Sequence, residues 1–586
     1  MSRLTRFASA RNLLLLSTLL VLVVQTAWFV RSASTRGFAT GDAGVKLWQV
    51  QGILHSGDLN APLDYPGAIY DPDRQYSPFV EPWAMWYQGK PYSEYTSPFI
   101  WASVPLYALF DHAGLMLLPW LSGMLLIIMS AWLAWRVRPD RSAALAPIIV
   151  GFGSPLLVYS LEFWEHTPGT ALVVFALVGV IKALDSRRRA WWLIASGAAI
   201  GLSLTMRAEL YVYPVAIVIG LLFIRSALPL IRSLSWLAVG GLITAAPWWA
   251  YQFVMWDSPF GPRLQQNVPI LGGTEMLSRL GDTTGRNWSM LFPAEGTAVL
   301  IGLLAVFVIS ALLTWALKPK VSWIADVGFW IGVVISVMLA VLLIVQLAQG
   351  QRPNDLLTAF PVVLLLILPA PGSAPPTSNF ERPTSNILRF LTVVPLVFVA
   401  LVILISPFHG GIQWGPRFLL PIIPPLTVVL IDRVAGLWGG INRSARVGLA
   451  AALIALLAAG CYSTWLGVKF MQDGQVASEF MSEMIRQSPE RVVVADAWFL
   501  PQMAPYTFGE KIWLMAEDEQ KMFQLLQRLR KQTNEPGFLY TSALTWTHID
   551  PQASMGPRIA PVEGSDKVYV NSPTQYVEIS RYLLLK

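Results

Sequence analysis

Four groups of polar residues interrupt an otherwise apolar chain, and each is of a type that can move a proton or hold an anion. Phe38-Ala-Thr-Gly-Asp42-Ala-Gly44 sets a carboxylate ahead of an amphipathic stretch with Leu47, Val50 and Leu54 on one stripe. Asp42 can cap that helix by accepting backbone N–H bonds, or serve as general base toward a hydroxyl; the two roles are compatible. In Tyr159-Ser-Leu-Glu162-Phe-Trp-Glu165-His166-Thr-Pro168, Glu162 and His166 are four apart. On a continuing helix that spacing puts both on one face, where they can hold a divalent cation or meet a phosphate. Two groups are not a coordination sphere, so a cation would need Asp42 or a substrate phosphate as well. The competing reading is an interfacial Trp with solvated polar neighbours.

Thr205-Met-Arg207-Ala-Glu209 and Gly411-Ile-Gln-Trp414-Gly-Pro-Arg417-Phe418, the latter preceded by His409, each offer a guanidinium. Guanidinium presents paired donors to phosphate oxygens, which makes Arg207 and Arg417 anion candidates, with Glu209 and Trp414 placed to position substrate. A local Arg–Glu pair that ends two helices, or snorkelling toward lipid headgroups, would account for the same residues.

The elements that must carry these groups are membrane helices. Of 586 residues 54% are hydrophobic and 13% charged, and the mean hydropathy of +0.52 excludes a soluble enzyme. The single Cys461 can make no internal disulfide. Apolar runs long enough to cross a ~30 Å hydrocarbon core are expected near 12–30, 114–135, 143–161, 168–184, 190–206, 209–225, 233–254, 298–317, 322–346, 356–371, 387–406, 418–431 and 445–466. This predicts a polytopic α-helical protein of about 13 transmembrane helices. The apolar segment 97–113 is short and decides every later loop. If it lies in the outer interface, basic residues from Arg3 through Arg446 collect on one side, as the positive-inside rule requires. The net charge of +7 is then a matter of orientation, and no nucleic-acid partner is implied. The N-terminus is expected in the cytoplasm and the C-terminus outside, in a bacterial inner membrane. Residues 1–466 form the membrane domain, with a long outer loop at 31–113, and 467–586 a small extracytoplasmic α/β domain. Its expected elements are strands at 491–496, 568–570 and 576–584 and a helix at 517–531. A Pro/Ser-rich connector runs from 371 to 385.

No G-x-x-x-x-G-K-[ST], H-E-x-x-H or G-x-S-x-G motif is present, which argues against an ATP-driven pump, a metalloprotease and a serine hydrolase. Asp71-Pro-Asp73 imitates a nucleotide-sugar D-x-D but falls outside the membrane, and is read as a turn. A secondary transporter or lipid flippase is the alternative class. It would favour paired repeats and ionisable groups along a crossing path, whereas here polar residues gather on one face. A third is a non-catalytic, glycan-binding assembly protein.

The chain resembles the GT-C superfamily of integral-membrane glycosyltransferases. More closely it is similar to the bacterial relatives of protein O-mannosyltransferases and of lipid A aminoarabinose transferase, the RgtA/B/C/D-like group. The resemblance covers roughly residues 11–430. It rests on Gly41-Asp42-Ala-Gly44, Ser97-Pro98-Phe99, Phe163-Trp-Glu-His166, Met206-Arg207-Ala-Glu209 and Trp414-Gly-Pro-Arg417-Phe-Leu-Leu-Pro421. It implies a polyprenyl-phosphate sugar donor, a lipid- or polymer-linked glycan acceptor, and Asp42 as the first-loop acid beside the acceptor and the anomeric carbon. It also implies that Arg207, Arg417 and His166 bind the lipid phosphate. Many relatives carry an acidic pair where this chain has Asp-Ala, so a second carboxylate would come from Glu162 or Glu165, or is not used. That leaves a divalent cation open and no cofactor certain.

Overall fold

The computed structural model describes residues 3–95, 97–224, 229–261, 287–292, 298–317, 322–371, 384–406, 414–532, 535–546, 549–563 and 567–585. His409, Gly411 to Gln413, most of the loop 255–297 and most of the Pro/Ser connector lie outside the described residues.

Lipid offers no partner for backbone polar groups, so the apolar runs fold as helices. In chain order these are α1 (Arg3–Ala33), α2 (Gly41–Ser56), α3 (Pro98–Phe110), α4 (His112–Val137), α5 (Leu145–Phe152), α6 (His166–Asp185), α7 (Arg189–Leu204) and α8 (Tyr213–Phe223). There follow α9 (Leu230–Trp256), α10 (Ala298–Leu317), α11 (Ser322–Ala348), α12 (Ser385–Ile405), α13 (Ile423–Gly440) and α14 (Arg443–Gln487). Among the described residues eight helices are long and apolar enough to cross a membrane, with four shorter apolar ones besides. The chain is a multi-pass membrane protein.

Several of the 13 expected spans are not single helices. The run 143–161 divides into α5 and the short helix Leu156–Tyr159, with Pro155 between them. The run 356–371 is one α-turn, Leu356–Ala359, and a 3₁₀ segment, Pro361–Leu366. A proline lacks the N–H that would continue the ladder, and its ring clashes with the preceding turn. Residues 97–113 hold α3, whose 13 residues span about 20 Å, short of a ~30 Å core. At the other end, α14 continues for 45 residues without a break at 466.

The chain folds as two compact units. The first holds residues 1–28, 119–160 and 165–468. In it α7 and α9 cross with almost nothing between them: a Cβ on Gly240 would run into the Ile194 carbonyl, and one on Gly197 into that of Leu237. Gly201 faces Gly241, and Thr244 Oγ1 donates to the Ala198 carbonyl at 2.9 Å. Small residues four apart are what lets membrane helices approach this closely.

The second unit holds residues 29–118, 161–164 and 469–586, so the long segment between α1 and α4 packs with the C-terminal region. A two-stranded ribbon, β1 (Ala84–Tyr87) with β2 (Lys90–Ser93), comes from that segment. The six-stranded sheet is built from β3 (Val492–Ala495), β4 (Ile512–Met515), β5 (Gly537–Ala543), β6 (Ile559–Pro561), β7 (Val568–Asn571) and β8 (Tyr576–Leu584). Its order is β4-β3-β5-β8-β6, with β7 also on β8. The β3 pairings to β4 and β5 are parallel, those of β8 antiparallel. Alternation sorts the strand residues by face. Val492 and Val494 pack with Leu525, Leu526 and Leu529 of α15 (Glu519–Gln532). Val493 and Ala495 pack with Val45 and Trp48 of α2 and with Met481 and Ile485 of α14. The expected strands at 491–496, 568–570 and 576–584 and the helix at 517–531 are present; β4, β5 and β6 are additional. Asp71 is the turn organiser expected: it accepts the Gln75 and Tyr76 N–H groups, each at 2.8 Å, and the Tyr65 hydroxyl at 2.6 Å.

Replacing Gly240 by Leu is expected to abolish the α7–α9 crossing and sharply reduce the yield of folded, monodisperse protein in detergent. A normal yield and melting temperature would show that the helices tolerate separation.

Candidate active site

Within the second unit, α2 begins at Gly41 and its N-cap is Thr40, so Asp42 lies inside the first turn and does not occupy the capping position expected for it. The shift has a packing cause: a Cβ on Gly41 would meet the Gln502 side chain, and one on Gly44 the Gln502 backbone carbonyl. Two glycines three apart thus let one face of α2 lie directly on 502–505, where Trp48 Nε1 also donates to the Pro505 carbonyl at 3.1 Å. The Asp42 carboxylate points to an indole: Trp83 Nε1 donates to Oδ1 at 2.9 Å. Its place near the positive end of the α2 dipole favours negative charge. Of the expected stripe, Leu47 and Val50 are fully buried, while Leu54 is exposed.

Glu162 is fully buried in the same unit. Oε2 accepts the Ala39 N–H at 3.1 Å and the Gln475 amide at 3.4 Å, and Oε1 has no hydrogen-bond partner among the described residues. Burial pushes its carboxyl up to about 8, against the opposing pull of those donors and of Lys46. The expected shared face for Glu162 and His166 does not form, because α6 starts at His166 and Glu162 precedes it in irregular chain.

In the first unit, Arg207 and Glu165 are buried. Arg207 Nε donates to Glu209 at 2.9 Å and Nη1 to Glu165 at 3.0 Å. Burial alone would lower the guanidinium, but the two carboxylates outweigh it and hold the group cationic. Arg417 differs: it forms no ion pair among the described residues, and its buried Nε has no hydrogen-bond partner there. Both guanidinium groups lie over the Phe418 ring, at 5.5 Å for Arg207 and 5.3 Å for Arg417. Two acids and two bases leave this cluster neutral before any ligand binds, with Arg417 the uncommitted cation. His166 packs against Tyr159 with ring centroids 5.2 Å apart. The Trp414 indole donates to the Ser463 carbonyl of α14 at 3.0 Å, which fixes the start of the Arg417 segment. No three His, Cys, Asp or Glu side chains meet as metal donors among the described residues. With Glu165 bound to Arg207, the acids expected to complete a metal shell do not assemble one.

Sequence reasoning passed over three participants. Trp83 is one of many loop aromatics, and nothing in its spacing marks it as the partner of Asp42. Lys46, one turn beyond Asp42, holds its ammonium 4.7 Å from the Tyr95 ring centroid. Asp355, whose polar surroundings Arg352-Pro-Asn-Asp355 could have signalled it, caps Leu356–Ala359 through Thr358. Burial pushes Asp355 up to about 6. In addition, α7, α8 and α9 line an open apolar cleft of about 480 Å³ bounded by Ile200, Leu204, Ile217, Leu237 and Trp249 among others.

No protein-family model matches the chain, and no curated protein does. Among solved structures, it is similar to ArnT from Cupriavidus metallidurans bound to undecaprenyl phosphate, at 13% identity over 96% of this chain and 97% of that one, with a TM-score of 0.50. The apo state of the same protein aligns at 15% identity over 97% and 98% of the two chains, again with a TM-score of 0.50. The chain has the GT-C fold. Identity this low carries the architecture alone, and the chemistry of this GT-C chain has to be argued from its own residues.

Removing Arg207 would strand the buried Glu165 carboxylate and the half-buried one of Glu209, so Arg207→Ala is expected to cost about 3–5 kcal/mol and lower the melting temperature markedly, whereas Arg417→Gln changes it little. Equal effects would contradict the ion-pair assignment. Glu162 keeps its proton in the folded state up to about pH 8, while the ordinary carboxyl releases it near 4.5. Its contribution is therefore complete below pH 4.5 and is lost as the pH rises through 8. Melting curves between pH 5 and 8 should fall less steeply in Glu162→Gln than in wild type.

Proposed function

We propose that this protein is an integral-membrane glycosyltransferase that moves a monosaccharide from a polyprenyl-phosphate carrier to an acceptor hydroxyl on the extracytoplasmic face of a bacterial inner membrane. The observation that carries the reading is Asp42: a carboxylate in the first turn of the first outer-loop helix, oriented by one indole N–H, in a chain with the GT-C fold. The Trp83 bond occupies Oδ1 and leaves Oδ2 to act. The acceptor O–H gives its proton to Oδ2 as its oxygen bonds to the anomeric carbon. The bond from that carbon to the phosphate oxygen breaks through an oxocarbenium-like state, and polyprenyl phosphate departs with the electron pair. Attack from the face opposite the leaving group inverts the anomeric centre.

The departing phosphate is the charge that needs stabilising, and Arg417 is the cation with donors to spare. Arg207 acts at one remove, holding Glu165 and Glu209 while sharing the Phe418 ring with Arg417. His166 and Trp414 complete the surroundings in this reading. The apolar cleft between α7, α8 and α9 suits an isoprenoid tail, because its lining offers hydrocarbon and almost no competing polar surface. That ArnT was solved with undecaprenyl phosphate supports a lipid phosphate of this class. No step is routed through a metal.

A positioned general base contributes about 10²–10⁴ in rate. Asp42→Asn is therefore expected to lower release of label from polyprenyl-phosphate sugars by that factor in proteoliposomes. The melting temperature should hold, since the Asn oxygen can still accept the Trp83 N–H. Full turnover in Asp42→Asn would refute the assignment of the base.

A further inference from the structure

The second unit carries a row of aromatic rings of which the proposed chemistry uses only the first. Trp83, whose N–H holds Asp42, stacks face to face on Trp498, with centroids 3.6 Å apart and planes 20° from parallel. Phe499 stands edge-on to Trp498 at 5.4 Å and to Trp546 at 5.9 Å. Trp546 is 62% exposed, a large aromatic left in solvent at the end of this row.

Their position in the sheet is not arbitrary. The chain leaves β3 for β4 on one side and returns through α15 to β5 on the other, so β3 and β5 are parallel neighbours whose connections part in opposite directions. In open parallel sheets the crevice beyond the carboxyl ends of such strands is where ligands bind. Trp498 follows the carboxyl end of β3 and Trp546 that of β5. Asp496 fixes the two exits together: it accepts the Ser542 hydroxyl at 2.6 Å, the Tyr540 hydroxyl at 3.0 Å and the Ala543 N–H at 3.0 Å.

We infer that Trp498 and Trp546 form the floor of an acceptor site that takes a sugar ring of a glycan. The inference rests on the glycosyltransferase reading and adds the place on the chain that holds a sugar ring of the acceptor. The negative face of an indole attracts the weakly positive C–H face of a pyranose, while the ring hydroxyls stay at the edge. Through Trp83, the same row of rings ends at the Asp42 carboxylate, which needs a hydroxyl to deprotonate. An acyl chain would gain nothing from that carboxylate, and an anionic polymer would be repelled by it.

The test uses the full-length protein in proteoliposomes, labelled polyprenyl-phosphate sugars as donor and a crude envelope extract as acceptor. Half-saturating amounts of donor and extract are measured for wild type, Trp546→Ala, Trp546→Leu and Trp546→Tyr. Trp546→Ala and Trp546→Leu should each need about tenfold more extract, with donor saturation and melting temperature unchanged, and Trp546→Tyr should recover most of the loss. Periodate, which cleaves vicinal diols of sugar rings, should abolish acceptance by the extract, and proteinase should not. Unchanged extract saturation in Trp546→Ala overturns the site, as does full activity of Trp546→Leu, which would mark a merely apolar contact. Acceptance lost to proteinase but not to periodate also overturns it, in favour of a peptide. A wild-type protein that consumes no donor overturns the glycosyltransferase reading itself, and this site with it.

Discussion

The absence of two Cβ atoms, at Gly41 and Gly44, is the constraint on which the second unit depends. With side chains there, α2 could not lie on the backbone at Gln502, and the turn that carries Asp42 would be displaced from the segment after β3. Because the helix seats directly on that segment, the indoles of Trp83 and Trp498 meet, and the carboxylate acquires a single well-defined donor. A carboxylate with one of its oxygens fixed and the other unengaged is oriented without being consumed, which is what a proton acceptor requires.

The buried charges of the first unit follow a different logic. Removing ions from water is costly unless they are paired and hydrogen-bonded, and Arg207 meets this with two carboxylates on one guanidinium. That arrangement makes Arg207 a poor ligand for anything else. Arg417, sharing the same phenyl ring, keeps its hydrogen-bonding capacity. Two arginines that look equivalent in the sequence are thereby separated into a structural cation and an available one.

What could be read beforehand divides along physical lines. Hydrophobic runs and strand alternation depend on local sequence, and most of the helices and three strands of the C-terminal sheet were legible from it. Helix continuity was not: Pro155 and Pro361 break runs whose composition is uniformly apolar, while α14 passes 466 despite a sharp fall in hydropathy. The Asp42 cap was a local inference overridden by the glycine contact with Gln502. Spacing gave Glu162 and His166 a common face only on the assumption that helix continued between them, and it begins at His166. The pairing of Trp83 with Trp498 joins opposite ends of the chain, and no local pattern encodes it. Asp355 was missed for the opposite reason: its polar neighbours were visible, but the acid's burial was not.

The shared core of the long segment between α1 and α4 and the C-terminal sheet also sets an order in time. Val45 and Trp48 leave the ribosome about 450 residues before Val493 and about 530 before Ile579, which cover them, so roughly 20–110 s pass at about 5–20 residues per second. Through that interval α2 has only its own loop to pack against, among it Leu63, Phe79 and Tyr95. The core around α2 therefore closes only when the last strand of the sheet is synthesised.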